Sequence, residues 1–379
     1  MIFQVLELAP SDRQGQRMFL ELPFRLYRDS PQWVPPLDFE ARRVFDRKRH
    51  PFYRSGEAAF FLALDGAGQA IGRLAVLDNQ RYNEFNHARA AFFYLFECEN
   101  QPAAAQALFA RAAAWAQARG LNTLLGPKGF TTLDGLGLLV RGFEHRPAFG
   151  LPYNPAYYAD LLESAGFSPC GEMVSGYLNR HTASVPDKVR QVAERVQERR
   201  GLRVVRFQTR RQLLALIPGL QKMYNEALQG TTGNIPLSEE DLRAMADQLL
   251  WFADPRLIKL IQKGDELAGF LLAYPDISAA VQRCRGRLLP FGWLDLLLEA
   301  RRTKWVNING AAIIEKYRGL GGTAILFNEM ANSLLESRFE HADLVQIGAD
   351  NERMLLELRS LGIDFYKLHR LYLKDIRGL

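Results

Sequence analysis

The chain has few of the features that would tie it to a disulfide-bonded, metal-binding or membrane-spanning class. Its 379 residues include three cysteines, Cys98, Cys170 and Cys284, whose odd number and wide spacing fit neither a disulfide framework nor a metal-ligand set. No uncharged apolar run of about 18 residues occurs, so neither a transmembrane helix nor a membrane partner is expected. The N-terminus lacks the basic segment and apolar core of a signal peptide. We therefore expect a cytoplasmic protein without a bound metal.

The composition is that of an ordinary globular protein, with 48% hydrophobic and 24% charged residues. The length predicts about two domains. A formal net charge of +6 permits a polyanionic partner without requiring one. The densest basic clusters, at residues 42–50, 188–211 and 283–304, also contain acids or apolar residues, so solvated helix faces explain them better than an extended nucleic-acid surface. Nucleic acid is not the expected partner, although tRNA stays open.

The same landmarks occur twice along the chain. Gly72 lies in an apolar hairpin pattern, and Gly269 lies in a second one 197 positions later. Asn154 and Asn351 each precede a helical pattern and are also 197 positions apart. Equal spacing of separate landmarks indicates an internal duplication of one α/β unit.

A glycine-containing turn in the second copy joins a strand pattern to a helix pattern. Residues 305–314 are β-rich, residues 315–322 form the charged turn, and the helix pattern follows. Such a turn bares backbone N–H groups, and the helix dipole adds partial positive charge, so it suits a phosphate. The alternative is a helix start in which glycine merely permits a tight turn.

This turn resembles the Gln/Arg-x-x-Gly-x-Gly/Ala pyrophosphate loop of the GNAT acyltransferase superfamily, which binds coenzyme A. The residues concerned are Arg318, Gly319, Leu320, Gly321, Gly322 and Thr323. Arg318 and Gly321 match the pattern, whereas Thr323 stands where the family prefers Gly or Ala. The later order of strand, Asn-initiated helix, Gly362–Ile363 and last strand also resembles the GNAT C-terminal half. Leu358 stands where the family often carries a Tyr that is proposed to protonate the departing thiolate.

Further segments resemble one bacterial family of tandem GNAT proteins, and together they cover nearly the whole chain. They are residues 125–128, 137–143, 152–158, 274–277, 286–292 and 366–372. The resemblance implies an α/β (α+β) fold of two GNAT-like domains, each a mixed, mostly antiparallel central sheet flanked by helices. We predict domains at residues 1–182 and 183–379, with the joint near residues 181–186.

The resemblance also implies acetyl-CoA or another acyl-CoA as co-substrate. In GNAT proteins the backbone of the strand before the loop binds pantetheine, which assigns Ala311, Ala312, Ile313 and Ile314. Arg318 to Thr323 would hold the pyrophosphate, and Asn351 would contact the pantetheine arm. In the first copy the corresponding turn, after the strand ending near Cys98, has two acids and no glycine. Carboxylates would repel a pyrophosphate, so only the second domain is expected to bind coenzyme A.

Acyl transfer from a thioester needs an unprotonated nucleophile, a polarised carbonyl and a proton for the leaving thiolate. Asp276 follows a strand and is either a general base facing the acceptor or a turn-forming or helix-capping residue. Tyr366 and Tyr372 lie on the predicted last strand. Either phenol replaces the acid missing at Leu358, or both rings only pack.

Two groups of polar residues are candidates for the acceptor site. Asn307 and Asn309 alternate with apolar neighbours on a strand, and their amides bind either substrate or loop backbone. The other group lies beside a glycine-rich stretch and forms either an acceptor-binding wall or a small core under a long loop: Tyr153, Asn154, Tyr157 and Tyr158.

The function expected from these patterns is direct transfer of an acyl group, acetyl in the first instance, from coenzyme A to an amine of a small molecule or peptide. The enzyme would be a monomer or a homodimer. Two alternatives stay open: a protein that binds acyl-CoA without turnover, and an aminoacyl-tRNA-dependent transferase or adaptor.

Overall fold

The computed structural model describes residues 3–131, 134–182, 187–207, 209–227, 235–249 and 254–378. Part of the predicted joint, residues 183–186, lies outside these ranges. We call residues 1–182 the first half and residues 183–379 the second half. The elements of the first half are β1 (Phe3–Glu7), α1 (Arg13–Leu26), α2 (Asp38–Arg43), β2 (Gly56–Asp65), β3 (Ala70–Asn79), α3 (Gln80–Phe85), β4 (Ala90–Cys98), α4 (Pro102–Gln117), β5 (Thr123–Gly126), β6 (Leu138–Arg141), α5 (Tyr158–Ser164) and β7 (Ser168–Asn179).

The second half repeats the hairpin, the central strand and the helix that follows it. Its elements are α6 (Asp187–Arg200), β8 (Leu202–Val205), α7 (Arg210–Ala215), α8 (Ile217–Ala227), α9 (Glu239–Leu249), β9 (Ile258–Lys263), β10 (Glu266–Pro275), α10 (Ser278–Cys284), α11 (Gly292–Arg302), β11 (Trp305–Ile313), α12 (Gly322–Leu335), β12 (His341–Gly348), α13 (Glu352–Ser360) and β13 (Asp364–Asp375). The two predicted hairpins are therefore confirmed as β2–β3 and β9–β10.

The described strands form one sheet that runs through both halves, in the order β1-β2-β3-β4-β5-β13-β7-β12-β11-β10-β9-β8, with β6 paired to β13. The pairs β4–β5 and β11–β12 are parallel, and the other pairs are antiparallel. The predicted mixed, mostly antiparallel sheet flanked by helices is confirmed. The apolar runs of β2 and β3 are continuous rather than alternating because one core covers each face of this part of the sheet.

The last strand of each half crosses into the sheet of the other half. The C-terminal strand β13 pairs with β5 of the first half, with Tyr372 opposite Gly126. Strand β7, which ends the first half, pairs with β12 of the second half, with Asn179 opposite His341. The two exchanged strands also pair with each other. Strand periodicity does not identify the partner of a strand, so the sequence did not predict this exchange, and the domain boundaries stay a prediction.

Candidate active site

Strands β11 and β12 separate beyond their first residues. Their parallel ladder runs from Trp305 opposite His341 to Ile308 opposite Leu344 and then stops. Gly310 has a φ of 92°, a conformation that glycine adopts at little cost and that breaks the regular pleat. The residues beyond it pair with β10 along one edge. Their other edge, on the side of β12, is not part of the ladder. The sequence predicted that pantetheine binds along this open edge.

The backbone of the predicted pyrophosphate loop turns sharply into α12. Gly319 has a φ of 74°, and Gly321, at the N-cap of this 14-residue helix, has a φ of 90°. A Cβ at Gly321 would lie 2.6 Å from Val196 Cγ2, so close packing by α6 also requires glycine there. The first N–H groups of a helix have no intrahelical acceptor, which leaves them available to an anion.

The guanidinium of Arg318 is held against the backbone around this loop. Its Nε donates to Ile313 O at 3.1 Å, and its Nη2 donates to Ala227 O at 2.8 Å. These bonds fix a positive charge beside the N-terminus of α12. Its predicted phosphate contact stays a prediction.

Asn351 is exposed at the start of α13, where its Oδ1 accepts from Met354 N at 3.2 Å. Its counterpart Asn154 is buried, and it brackets Leu139 by accepting from Leu139 N at 2.7 Å and donating to Leu139 O at 3.0 Å. The amide of Asn154 is therefore used to hold β6, whereas Asn351 lies at the surface.

In the first half, the strand edge that corresponds to the open edge of β11 is occupied by tyrosine side chains. Strand β4 also leaves its parallel partner early, after Phe92 opposite Leu125. Its last residue, Cys98, donates its N–H to Tyr158 Oη at 3.0 Å, and its carbonyl accepts from Tyr157 Oη at 2.8 Å. Backbone groups of this strand that could have bound a ligand are therefore used by side chains of the α5 region.

A cavity of about 1080 Å³ lies next to the end of β4 and reaches the second half. Its wall comes from α1, α2 and the segment between them, from residues 94–97 and 149–154, and from Tyr274 and Asn309. Of the four residues predicted as an acceptor wall, Tyr153 and Asn154 line this cavity. Tyr158 is instead fully buried in the core of the first half, and Tyr157 packs against that core.

Three charged residues of this cavity, Arg73, Glu97 and Asp134, were missed by the sequence analysis as site residues. Glu97 is hydrogen-bonded by the hydroxyls of Tyr27 (2.7 Å) and Tyr158 (2.8 Å), and Arg73 Nη2 lies 3.5 Å from its Oε1. Burial raises the pKa of Glu97, which Arg73 and the two hydroxyls partly offset. Asp134, on the loop after β5, has a pKa raised to about 6 by burial.

The local sequence indicates the burial of some of these residues and not of others. Arg73 and Glu97 are charged residues inside otherwise apolar strands, and that pattern marks buried charge. Asp134 lies in an irregular glycine-rich loop, where no periodicity distinguishes it. Its environment is decided by which elements fold over the loop.

Asp276 is buried at a junction between the halves rather than being open to the cavity. Its Oδ1 accepts from Ser278 Oγ at 2.6 Å, from Asn307 Nδ2 at 3.0 Å and from Phe149 N at 3.3 Å. Arg146 lies 3.5 Å from its Oδ2. These contacts fix the 146–149 segment of the first half against the second half, and the proposed role of Asp276 as a base stays a prediction.

Asn309 lies at the meeting point of the cavity and the open edge of β11. Its Nδ2 donates to Tyr274 Oη at 3.3 Å, and both residues line the cavity. Burial raises the pKa of Tyr274 to about 12, so its hydroxyl stays protonated at neutral pH. Because Asn309 lies two residues before Ala311, this pair places polar groups close to the start of the predicted pantetheine-binding segment.

Tyr366 belongs to a buried cluster on β12 and β13. Its hydroxyl donates to Asp343 Oδ2 at 2.8 Å, and Lys367 Nζ lies 2.8 Å from the same oxygen and 2.7 Å from the hydroxyl. Burial raises the pKa of Tyr366, and the negative charge of Asp343 raises it further. Its proposed role as an acid stays a prediction.

The structure places Tyr372 in the core of the first half, because β13 crosses to that side of the sheet. Leu358 lies in the core of the second half. Tyr372, which the sequence analysis considered as a replacement for the acid missing at Leu358, is therefore in a different core from Leu358. The catalytic role of Tyr372 stays untested.

The described residues also bear on two other classes of site, a membrane span and a metal centre. None of the described helices combines the length and the apolar character needed to cross a bilayer. Within the same ranges, no group of three or more His, Cys, Asp and Glu residues is arranged to hold a metal ion.

The strand order, the two parallel pairs that separate and the glycine turn before α12 define a tandem GNAT fold. A tandem GNAT protein from the clavulanic acid biosynthesis pathway matches it with a TM-score of 0.57, at 12% identity, over 100% of both chains. The resemblance to the GNAT superfamily seen in the sequence is thereby confirmed for the fold.

Two curated proteins are similar to the chain along almost its whole length. The bacterial ceramide synthase of Caulobacter vibrioides is 28% identical over 373 residues, which cover 95% of this chain and 94% of that protein. Protein YghO of Escherichia coli is 24% identical over 375 residues, which cover 96% of this chain and 94% of that protein. No family model matches the chain.

Proposed function

We propose that the protein transfers an acyl group from an acyl-coenzyme A to an amine, with the cofactor in the second half and the acceptor in the large cavity. The position of Asn309 carries this proposal. It lines the cavity, and it directly follows Ile308, where the ladder between β11 and β12 ends. The expected place of the thioester and the cavity therefore meet at one residue.

The cofactor would bind along the second half as the GNAT resemblance implies. Ala311, Ala312, Ile313 and Ile314 would offer backbone groups to pantetheine, and Asn351 would contact the same arm. The N–H groups of Gly319, Leu320, Gly321, Gly322 and Thr323, next to the Arg318 guanidinium, would hold the pyrophosphate.

The first half would not bind a second coenzyme A. The hydroxyls of Tyr157 and Tyr158 bond the backbone of Cys98. Pro102 begins α4, so the first residue of that helix has no N–H to offer a phosphate. Glu99 adds negative charge close by, although Arg25 binds it at 2.6 Å. We therefore assign to this half the binding of the acceptor.

The reaction would proceed by direct attack. The amine nitrogen forms a bond to the thioester carbonyl carbon, the carbon–sulfur bond breaks, and the proton lost by nitrogen goes to a base while the thiolate takes up a proton. Asp134 is our candidate base because a carboxylate with a pKa of about 6 is largely ionised at neutral pH and still accepts a proton well. Asn309 and Tyr274 are our candidate hydrogen-bond donors for the thioester carbonyl.

The acceptor that fits best is a long-chain amine. The volume of about 1080 Å³ is at the upper end of ordinary ligand pockets, and rings of Phe24, Trp33 and Tyr153 line it. The relative named bacterial ceramide synthase points the same way, because a ceramide is an amide between a fatty acid and a long-chain amino alcohol. We propose an acceptor of that class rather than a short peptide.

Calorimetric titration of coenzyme A and acyl-CoAs tests the cofactor site first. We expect binding in the micromolar range to the wild type, about −8 kcal/mol, and loss of at least tenfold for Arg318→Glu. Arg353→Glu is the matched control, because Arg353 is exposed and pairs only weakly with Glu357 on the surface of α13. Absence of binding to the wild type would reject the proposal.

Acyl transfer from labelled thioester to a panel of amines then separates the remaining functions. We expect long-chain amino alcohols to be acylated and short amines to react poorly. Binding of acyl-CoA without any product would favour a non-catalytic carrier. Tight binding of tRNA that weakens steeply with salt would instead favour the aminoacyl-tRNA alternative.

A further inference from the structure

A cluster of large apolar side chains projects into solvent at the start of α11. Leu289 is 81% exposed, Phe291 is 74% exposed, and Trp293 and Leu294 are 47% and 43% exposed. Single exposed apolar residues are normal on protein surfaces, but four within six positions form a contiguous patch, which marks an interaction site. We call Leu289, Pro290, Phe291, Trp293 and Leu294 the apolar turn.

The apolar turn is a built feature rather than a loose loop. Trp293 N donates to Leu288 O at 2.9 Å, and its indole Nε1 donates to Pro290 O at 3.0 Å. Because the indole N–H is satisfied within the turn, the outer face of this ring has no remaining donor. Further along α11, Leu296 and Ala300 are anchored in a buried cluster.

Exposed arginines lie at both ends of the segment that carries the apolar turn. Arg285 and Arg287 come just before the turn, and Arg301 and Arg302 lie at the other end of α11. The two acids of the segment, Asp295 and Glu299, are both bound by Arg283, so they offset little of that charge. Exposed leucine and aromatic side chains on a segment that also carries exposed arginines are the composition of a surface that enters the headgroup region of a bilayer.

The patch also borders the large cavity. Arg285 and Arg287 line that cavity. Helix α2 lies next to the same segment, because Asp38 N donates to Gly286 O at 2.9 Å, and the following residue, Phe39, is 49% exposed. This region therefore combines an apolar projection, the exposed arginines Arg285 and Arg287 and the rim of a cavity.

We propose that this surface docks on an anionic lipid bilayer, with Leu289 and Phe291 inserted at the boundary between headgroups and acyl chains. The arginines would contact lipid phosphates, which complement their charge. The sequence analysis expected no membrane partner, and this proposal departs from it. The docking does not depend on the acyltransferase activity, although it would place the cavity rim at the membrane.

Co-sedimentation with vesicles tests the proposal on the full chain. Vesicles of phosphatidylcholine mixed with phosphatidylglycerol are compared with vesicles of phosphatidylcholine alone, at low and high salt. We expect the wild type to bind the anionic vesicles, and to bind them more weakly as salt increases. Leu289→Ser/Phe291→Ser should lower the partition coefficient by about tenfold or more, because both side chains lose their apolar contact.

Leu335→Ser/Leu356→Ser is the matched control, because these residues are 54% and 63% exposed on other helices. It should bind vesicles like the wild type. The proposal would be overturned if Leu289→Ser/Phe291→Ser bound anionic vesicles as well as the control variant does, or if the wild type did not bind them. A dimeric wild type that becomes monomeric on Leu289→Ser/Phe291→Ser without any vesicle binding would also overturn it, since the surface would then join two copies of the chain.

Discussion

Asp134 is the residue whose protonation we expect to change just below neutral pH. Burial raises its pKa to about 6 in the folded protein, whereas an unfolded aspartate has a pKa of about 3.9. Between these values the folded protein binds more protons than the unfolded chain does. The cost of the buried carboxylate is therefore absent below pH 4 and fully present above pH 6.

We predict that Asp134→Asn stabilises the protein more at pH 8 than at pH 4. The difference in free energy of unfolding between variant and wild type should shift by about 1 to 3 kcal/mol across this range, because two pKa units correspond to about 3 kcal/mol and the group is only partly buried. Urea unfolding of both proteins at each pH measures it. A shift of zero or of opposite sign would show that the carboxylate is not destabilised by burial.

The same residue gives a catalytic prediction. If Asp134 is the base, kcat/KM should rise with pH through about 6 as the carboxylate forms, and Asp134→Asn should lose at least tenfold in kcat/KM at pH 7 together with that pH dependence. Asp160→Asn, on α5, is the control because Asp160 lies outside the cavity wall. Full activity of Asp134→Asn would move the role of base to another group.

The ion pair of Arg73 and Glu97 is a second residue-level test. Arg73 is buried, the side chain of Glu97 is 12% exposed, and Glu97 also accepts from the hydroxyls of Tyr27 and Tyr158. Arg73→Met leaves the carboxylate without its cation, and we predict destabilisation of about 3 kcal/mol.

Arg73→Met/Glu97→Gln should recover part of this loss, because the amide oxygen still accepts from the tyrosines and no unpaired charge remains. Urea unfolding of the two variants decides it. If the double variant were no more stable than Arg73→Met, charge burial would not be the cause.

At the scale of elements, the exchanged strand β13 makes the first half depend on the C-terminus. Tyr372 on this strand is fully buried in the first-half core, next to β5. We predict that Tyr372→Ala destabilises that core by about 3 kcal/mol through the cavity it leaves. Hydrogen exchange should then accelerate in β5 and α4. Acceleration confined to α12 and β9 would contradict the exchanged pairing.

At the scale of the whole molecule, one continuous sheet predicts one cooperative unit. β7 pairs with β12 and β13 of the second half, and β13 pairs with β5, β6 and β7 of the first half, so neither half can open without breaking the sheet of the other. We predict a single calorimetric unfolding transition whose van't Hoff and calorimetric enthalpies agree. Two resolved transitions would show that the halves unfold as separate domains.

The sequence by itself determined the elements and their repetition. Apolar runs, glycine turns and the spacing of Gly72 with Gly269 predicted both hairpins and an internal duplication, and the strand before Arg318 was found where expected. The tandem GNAT architecture was implied by the resemblance of residues 318–323 to the family's loop. These features are local, because periodicity and turn chemistry act over a few residues. The glycine turn before α12 could be predicted for the same reason, and its binding of a pyrophosphate stays a prediction.

Only the tertiary structure decided which strands pair and which polar groups share a cavity. The exchange of β7 and β13 depends on contacts between distant segments, and it moved Tyr372 into the other core. Tyr157 and Tyr158 became internal partners of Cys98, and Asp134 came to line the cavity that reaches Asn309. Burial sets the pKa of a carboxyl and the partners of a hydroxyl, and burial is a property of the packed chain rather than of its local sequence.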